Sequence, residues 1–483
     1  MLMVDLPGPV LDPETAEHLR RHRVRAVCLF RRNIESEEGL ARLTAELRGV
    51  MGEEALIAVD QEGGGVVRTR SLPFPPSAMS LGASGDPALA GAVGAATARP
   101  LAALGINWNF APVLDLSVNP SNPVTLDRSF GADPRAASDL ALAWLRGSLA
   151  DGVAGCVKHF PGHGDTHLDS HHVLPRVDKP LAALEASEFL PFRRAVQEGG
   201  VPAVMSAHIV YPALDPARPA TLSRAALSGL LRESWGYDGV IITDSMGMAA
   251  IDANYGRGEA AVLALEAGAD MVMALGSRDE QQATLEAVEA ALEAGRLDPA
   301  SSLRRLSALA RRFPSRAGHY PPEVRARDAA LMQGAWERGL TTLRDPSFPG
   351  RGEEVLLVAP RSVPGETVAE AGVDGEVLAS LLGALYRVEA HLTSDMGSLD
   401  WNALRSGGKA VLLATTSRRR DPALQGARPD LHLALWNPTA VLDVDAPALL
   451  SYGCRPEALA AVLRCLAGEV VATGVLPAVL MEN

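Results

Sequence analysis

The sequence predicts an α/β protein: a (β/α)8 TIM-like barrel over residues 1–340, followed by a smaller α/β sandwich domain. Three observations carry this reading. Short runs rich in Val, Ile, Leu and Ala alternate with longer amphipathic stretches through the first 340 residues. The runs are apolar throughout, which is the pattern of a parallel strand buried on both faces. Four of them end in an ionisable residue, Asp60, His159, His208 and Asp244, and in such a barrel the C-terminal strand ends form the face that carries chemistry.

Taken in order, residues 1–5 supply the first strand. Seven clear runs follow: RAVCLF (25–30), ALIAVD (55–60), NWNFAPV (107–113), GCVKHF (155–160), PAVMSAH (202–208), GVIITD (239–244) and DMVMAL (270–275). Helical patterns lie between them, as at 36–51, 133–150 and 224–234, so the units are βα pairs. Residues 280–313 read as charged helix packed outside the barrel. The stretch 341–353, TTLRDPSFPGRGE, has two prolines and two glycines and reads as a linker. Beyond it, residues 354–483 hold EVLLVAP (354–360), AVLLAT (410–415) and LHLALW (431–436), spaced by helical stretches as in a small three-layer domain. The arginine run at 418–420 reads as a solvated turn.

Composition narrows the function classes. With 47% apolar and 21% charged residues, the chain has ample material for a large core. Its net charge of -13 repels phosphate backbones and anionic bilayers, which argues against nucleic-acid and membrane partners. The four cysteines, Cys28, Cys156, Cys454 and Cys465, have no CxxC spacing and read as reduced, buried thiols. No export leader and no membrane-length apolar segment is evident, so a cytoplasmic location is expected.

Five of the eleven histidines fall between residues 159 and 172, in HFPGHGDTHLDSHH. Pro161, Gly162 and Gly164 break any helix at its start, so this is a loop above a strand end. His163, His167 and His171 are spaced four apart, as for a metal on a helix face, but the glycines remove most of that meaning. In Asp169-Ser170-His171 the carboxylate can accept a ring N–H, raise the imidazole pKa and leave the other nitrogen as a general acid or base. Asp244 at a strand end can act as a nucleophile on an anomeric carbon, or merely cap the helix that follows. In DQEGGGVVR (60–68) the three glycines let the backbone pass close to a ligand. The motif is neither GxGxxG nor GK[ST], so nucleotide binding is not expected. Arg128, Lys158 and His159 can donate hydrogen bonds to hydroxyl groups. Trp108 could stack on a sugar face but fits a core position better.

Together the motifs resemble family 3 glycoside hydrolases, in their NagZ-like β-N-acetylglucosaminidase (β-N-acetylhexosaminidase) branch. The similar pieces run in the family's order: DQEGGGVVR, GINWNFAPVLDLSVNP (105–120), DRSF (127–130), KHFPGHGDTHLDSH (158–171), VMSAHIVYPALD (204–215), GVIITDSMGM (239–248) and LEAGADMVMA (265–274). The KHFPGHG…DSH block separates this branch from the family's β-glucosidases. The resemblance implies a retaining hydrolase that removes terminal non-reducing β-linked N-acetylglucosamine from cell-wall muropeptides or chitooligosaccharides, with no metal, organic cofactor or obligate protein partner. It implies Asp244 as nucleophile, His171 supported by Asp169 as acid/base, and Asp60, Arg68, Arg128, Lys158 and His159 as sugar-binding residues. A neutral imidazole base does not repel an anionic acceptor, so phosphate could compete with water in the second step. The tail, ALWNPTAVLD onward, is similar in pattern to the family's second domain but short. A family 3 β-glucosidase, a metal-dependent hydrolase using the His-rich loop and a non-catalytic sugar-binding protein are the rival readings.

Overall fold

The computed structural model describes residues 1–170, 173–365 and 371–480. Eight strands close a parallel barrel in chain order: β1 (Leu2–Asp5), β2 (Ala26–Leu29), β3 (Leu56–Val59), β4 (Trp108–Asn109), β5 (Ala154–Phe160), β6 (Ala203–Ser206), β7 (Val240–Ser245) and β8 (Met271–Met273). All seven apolar runs and the start of the chain are strands of this barrel. Every residue of β1 to β6 and β8 is buried, as expected for a sheet covered by side chains inside and helices outside.

The helices follow from local chemistry. Asp133 caps Pro134–Ala150 by accepting from the amides of Arg135 and Ala136, and Ser36 caps Glu37–Met51. The charged region 280–313 is two helices with different duties. Arg278–Glu293 covers the barrel wall, as anticipated. Ala300–Arg312 instead closes the floor. Its Leu306, Leu309 and the following Phe313 join the same apolar cluster as Met3, Ala58, Trp108 and Ile242 inside the barrel. Asn107 ties the floor in place by donating to the Phe313 carbonyl at 2.6 Å. Trp108 is fully buried against Phe110, a core tryptophan.

The second sheet has the order β11-β10-β12-β13-β14-β9. Its strands are β9 (Thr341–Leu343), β10 (Glu354–Pro360), β11 (Arg387–Thr393), β12 (Ala410–Thr415), β13 (Leu431–Ala434) and β14 (Ala448–Leu450). Two points differ from the expectation. The first residues of the stretch read as a linker, 341–343, are an antiparallel edge strand of this sheet. The strand β11 lacks an apolar run because it is largely exposed, with Lys409 bonded to Glu389 on its flank. All four cysteines are free and buried. Among the described residues no helix is long and apolar enough to cross a membrane.

The floor helix supports the barrel at the end away from the polar strand termini. Truncating Leu309 to Ala should therefore lower unfolding free energy by about 2–4 kcal/mol, measured by urea denaturation.

Candidate active site

The C-terminal strand ends open into a cavity of about 450 Å³. Asp60, Arg68, Arg128, Lys158, His159 and Asp244 all line it, together with Glu62, His163 and Ser170. Six of the residues singled out in the sequence thus meet at one mouth, although up to 184 positions separate them (Asp60 to Asp244).

Local structure explains how each is held. Lys158 and His159 are neighbours in β5, yet both side chains face the cavity. The register between β5 and β6 slips between Val157 and Phe160, and such an irregularity re-aims side chains that strict alternation would send to opposite faces. The loop after β3 is pinned through Gln61. Its backbone N–H and carbonyl exchange two 2.9 Å bonds with the Asn109 side chain at the end of β4. Its own side-chain oxygen accepts from the amides of Arg68 and Thr69.

The three glycines of this loop serve protein contacts rather than ligand approach. A Cβ on Gly63 would overlap the Pro76 carbonyl, and one on Gly64 would overlap Ser77. Gly63 and Gly64 also have φ of +108° and +56°, where L side chains are strained.

The polar side chains form one buried network. Lys158 Nζ lies 2.8 Å from Asp60 Oδ1 and 2.6 Å from Glu62 Oε1. Arg128 grips Glu62 with two parallel bonds, Nε to Oε2 at 2.8 Å and Nη2 to Oε1 at 2.9 Å. Arg68 adds a longer ion pair to Asp60 at 3.7 Å. Burial alone would raise the Glu62 carboxyl, but Arg128 and Lys158 outweigh it and hold it well below the usual carboxylate range. Burial would likewise lower Lys158, and Asp60 and Glu62 reverse this, so its ammonium stays charged.

A second branch orients the histidines. Asp115, fully buried, accepts His159 Nδ1–H at 2.6 Å and the amides of His159 and His163 at 3.1 and 2.7 Å. With Nδ1 protonated, His159 Nε2 is left as an acceptor 3.4 Å from Arg128 Nη2. Burial pushes the Asp115 carboxyl up, and the facing His159 and His163 groups bring it below its ordinary value. His163 Nδ1 meets Thr166 Oγ1 and its Nε2 meets Ser170 Oγ, both at 2.9 Å. The Asn122 amide donates to the carbonyls of His163 and Gly164 at 2.8 and 3.1 Å, holding the loop down.

Asp244 ends the inward-facing part of β7. It is half-buried, and its Oδ1 accepts the Ser245 amide at 2.7 Å. His208 reaches across from the end of β6, with Nε2 donating to the Ser245 carbonyl at 2.9 Å. It braces the strand end next to Asp244. Asp169 is half-buried in the loop beside Ser170. His171, and the extra imidazole His172, lie outside the described residues.

The spacing of His163 and His167 does not make a metal pair. The nitrogens of His163 are engaged as above, and exposed His167 faces Asn119. Among the described residues no group of three or more His, Cys, Asp or Glu could hold a metal ion.

The glycosyl hydrolase family 3 N-terminal domain matches residues 1–310. The chain belongs to glycosyl hydrolase family 3. A family 3 β-N-acetylglucosaminidase from Paenibacillus sp. str. FPU-7 superposes with a TM-score of 0.91 at 34% identity, over 100% of this chain and 98% of that one. A β-hexosaminidase of Chromobacterium violaceum is 40% identical over 294 residues, 59% of this chain and 82% of its own length. NagZ of Neisseria gonorrhoeae, solved with N-trifluoroacetyl-D-glucosamine, has a TM-score of 0.60 and 33% identity over 69% of this chain and 97% of that one.

Within this family 3 site, sequence reading missed Glu62, Asp115 and Asn122. Glu62 sits two residues after Asp60 in a quoted motif, and Asp115 interrupts the apolar run FAPVLDL. A lone acid in such a run was the available signal. Asn122 had none, because its role is to hold carbonyls of a distant loop. The arginine run was misread. Arg418 is buried, with Nε 3.3 Å from Asp127 Oδ1 and Nη2 donating to the Val124 carbonyl at 3.1 Å. Arg420 pairs with Asp443.

Burial lowers the His163 imidazole to about 4, against the pull of Asp115. The unfolded chain takes up that proton near the ordinary value of 6.5. Stability should therefore fall as pH drops from about 6.5 to about 4 and show no further His163 slope below. His163→Asn should reduce the slope of unfolding free energy against pH by about 1.4 kcal/mol per pH unit inside that window, measured by urea unfolding at stepped pH.

Proposed function

We propose that this protein is a retaining β-N-acetylhexosaminidase that removes terminal non-reducing β-linked N-acetylglucosamine, from muropeptide fragments or chitooligosaccharides. The observation that carries the reading is the meeting of Asp244 with Asp60, Arg68, Arg128, Lys158 and His159 in one cavity of a family 3 barrel. The 34% identity to the Paenibacillus β-N-acetylglucosaminidase across the whole chain supports the substrate class.

The chemistry proceeds in two steps. Asp244 attacks the anomeric carbon while the bond to the leaving oxygen breaks, and His171 gives that oxygen a proton. This forms a covalent glycosyl-aspartate. His171, now neutral, takes a proton from water as its oxygen attacks the same carbon and releases Asp244. Asp169 steadies the imidazolium that starts the first step and is formed again in the second. Two inversions give net retention. The buried ions do the holding. A neutral sugar offers only hydroxyls and an amide, so affinity depends on donors and acceptors fixed before it arrives. Lys158 and Arg128 are already aligned by Glu62, and each keeps N–H groups to spare. His159 is set by Asp115 with its other nitrogen turned to the cavity.

The test is release of 4-nitrophenol from the β-N-acetylglucosaminide and β-glucoside side by side. The first should turn over and the second should lag far behind. Asp244→Ala should lower kcat by at least about 10³-fold, and the first product anomer seen by NMR should be β. Equal turnover of the glucoside would sink the substrate assignment, and an α first product would sink the nucleophile.

A further inference from the structure

The polar network of the barrel does not end inside the barrel. Asp127, the residue before Arg128, is fully buried and uses both carboxylate oxygens. Oδ2 accepts the amide of Gly65, at 3.1 Å, in the loop that carries Asp60, Glu62 and Arg68. Oδ1 faces Arg418 of the C-terminal domain at 3.3 Å. Arg418 also donates to the Val124 carbonyl at 3.1 Å, and Arg128 Nη1 approaches the same carbonyl at 3.4 Å. The loop of Arg418 is itself held, since the Asn437 amide donates to the Arg418 carbonyl at 2.8 Å. Next to Asn437, Trp436 lies so close to Gly65 that a Cβ there would be 2.7 Å from its ring.

We propose that Arg418, supplied by the C-terminal domain, is a positioning residue of the barrel's sugar site. It fixes the segment Val124–Arg128 and, through Asp127, the loop after β3, and so sets where Arg128 and Glu62 stand before substrate binds. The inference rests on the assignment of Arg128 to the sugar. Three physical points support it. Arg418 is 2% exposed and Asp127 is fully buried, so the pair is shielded from the salt and water that make surface pairs negligible. A planar guanidinium can serve a carboxylate and a carbonyl together, which one ammonium does poorly. The path from Arg418 to Arg128 is short: it runs through the shared Val124 carbonyl and through the carboxylate of Asp127, the residue next to Arg128.

The test uses the full chain and five variants: Arg418→Ala, Arg418→Lys, Arg128→Ala, the double Arg128→Ala/Arg418→Ala, and Arg420→Ala. Arg420 pairs with Asp443 inside the C-terminal domain and serves as a control for loosening that domain alone. Each is assayed on the aryl N-acetylglucosaminide well below its own melting temperature. Arg418→Ala should raise KM roughly tenfold, less than the ~100-fold that a 1 Å misplacement can cost, with kcat affected less. Arg418→Lys should recover only part of the loss. Arg420→Ala should lower Tm and leave KM unchanged. The double variant should be no worse in KM than Arg128→Ala, because Arg418 acts through Arg128. An unchanged KM in folded Arg418→Ala, or losses that multiply in the double variant, would overturn the proposal. An unchanged KM in Arg128→Ala would instead remove Arg128 from the sugar site, and the inference with it.

Discussion

The site depends on one buried carboxylate. Glu62 stands between Arg128 and Lys158 and is the carboxylate those two buried cations share. Lys158 is shared with Asp60, so the signs alternate along the chain Asp60, Lys158, Glu62, Arg128. The four formal charges of that chain cancel, which lets them be desolvated together, while Arg68 stands farther off at 3.7 Å from Asp60. The same alternation forbids piecemeal change. Neutralising Glu62 would take from Arg128 its two-pronged carboxylate and leave Lys158 with Asp60 alone, and neutralising either cation would leave Glu62 with one partner instead of two. Geometry is therefore coupled: the grip on Glu62 sets the Arg128 guanidinium plane, and the pull of Asp60 and Glu62 sets the Lys158 ammonium.

This explains what could be read before the fold was known. The barrel was legible because a parallel strand covered on both faces must be apolar throughout, and seven such runs follow the start of the chain in order. The face of the candidate site was legible because ionisable residues close those runs at 60, 159, 208 and 244. Of these, His208 proves to brace the backbone beside Asp244, and the others line the cavity. What escaped were residues whose partners lie far off in sequence. Asp115 pairs with His159 across 44 positions and Arg418 with Asp127 across 291. An arginine in SRRRDP has no local mark to separate a solvated turn from a buried bridge. The glycine triplet was noticed, yet its reason was crowded neighbours, Pro76 and Ser77 at the first two and Trp436 at the third, which no local pattern reveals.

The division of labour between the two ends of the barrel is equally physical. The floor helix, Ala300–Arg312, adds Leu306 and Leu309 to the barrel interior, and Phe313 follows them. The upper end carries the ions, the histidine loop and the contact with the second domain. Apolar packing tolerates exchange of one aliphatic group for another, whereas the charged end does not.

The outer strand β11 has a bearing on the protein's life among other chains. An open sheet edge is a row of unpaired peptide groups that a stray extended segment can join. Here that edge reads RVEAHLT, with Arg387 facing Glu354 and Glu389 held by Lys409. A newcomer would have to lay its backbone beside those charges and strip their water. The ions on β11 therefore guard against clumping at high concentration, a duty separate from turnover and invisible to any assay of rate.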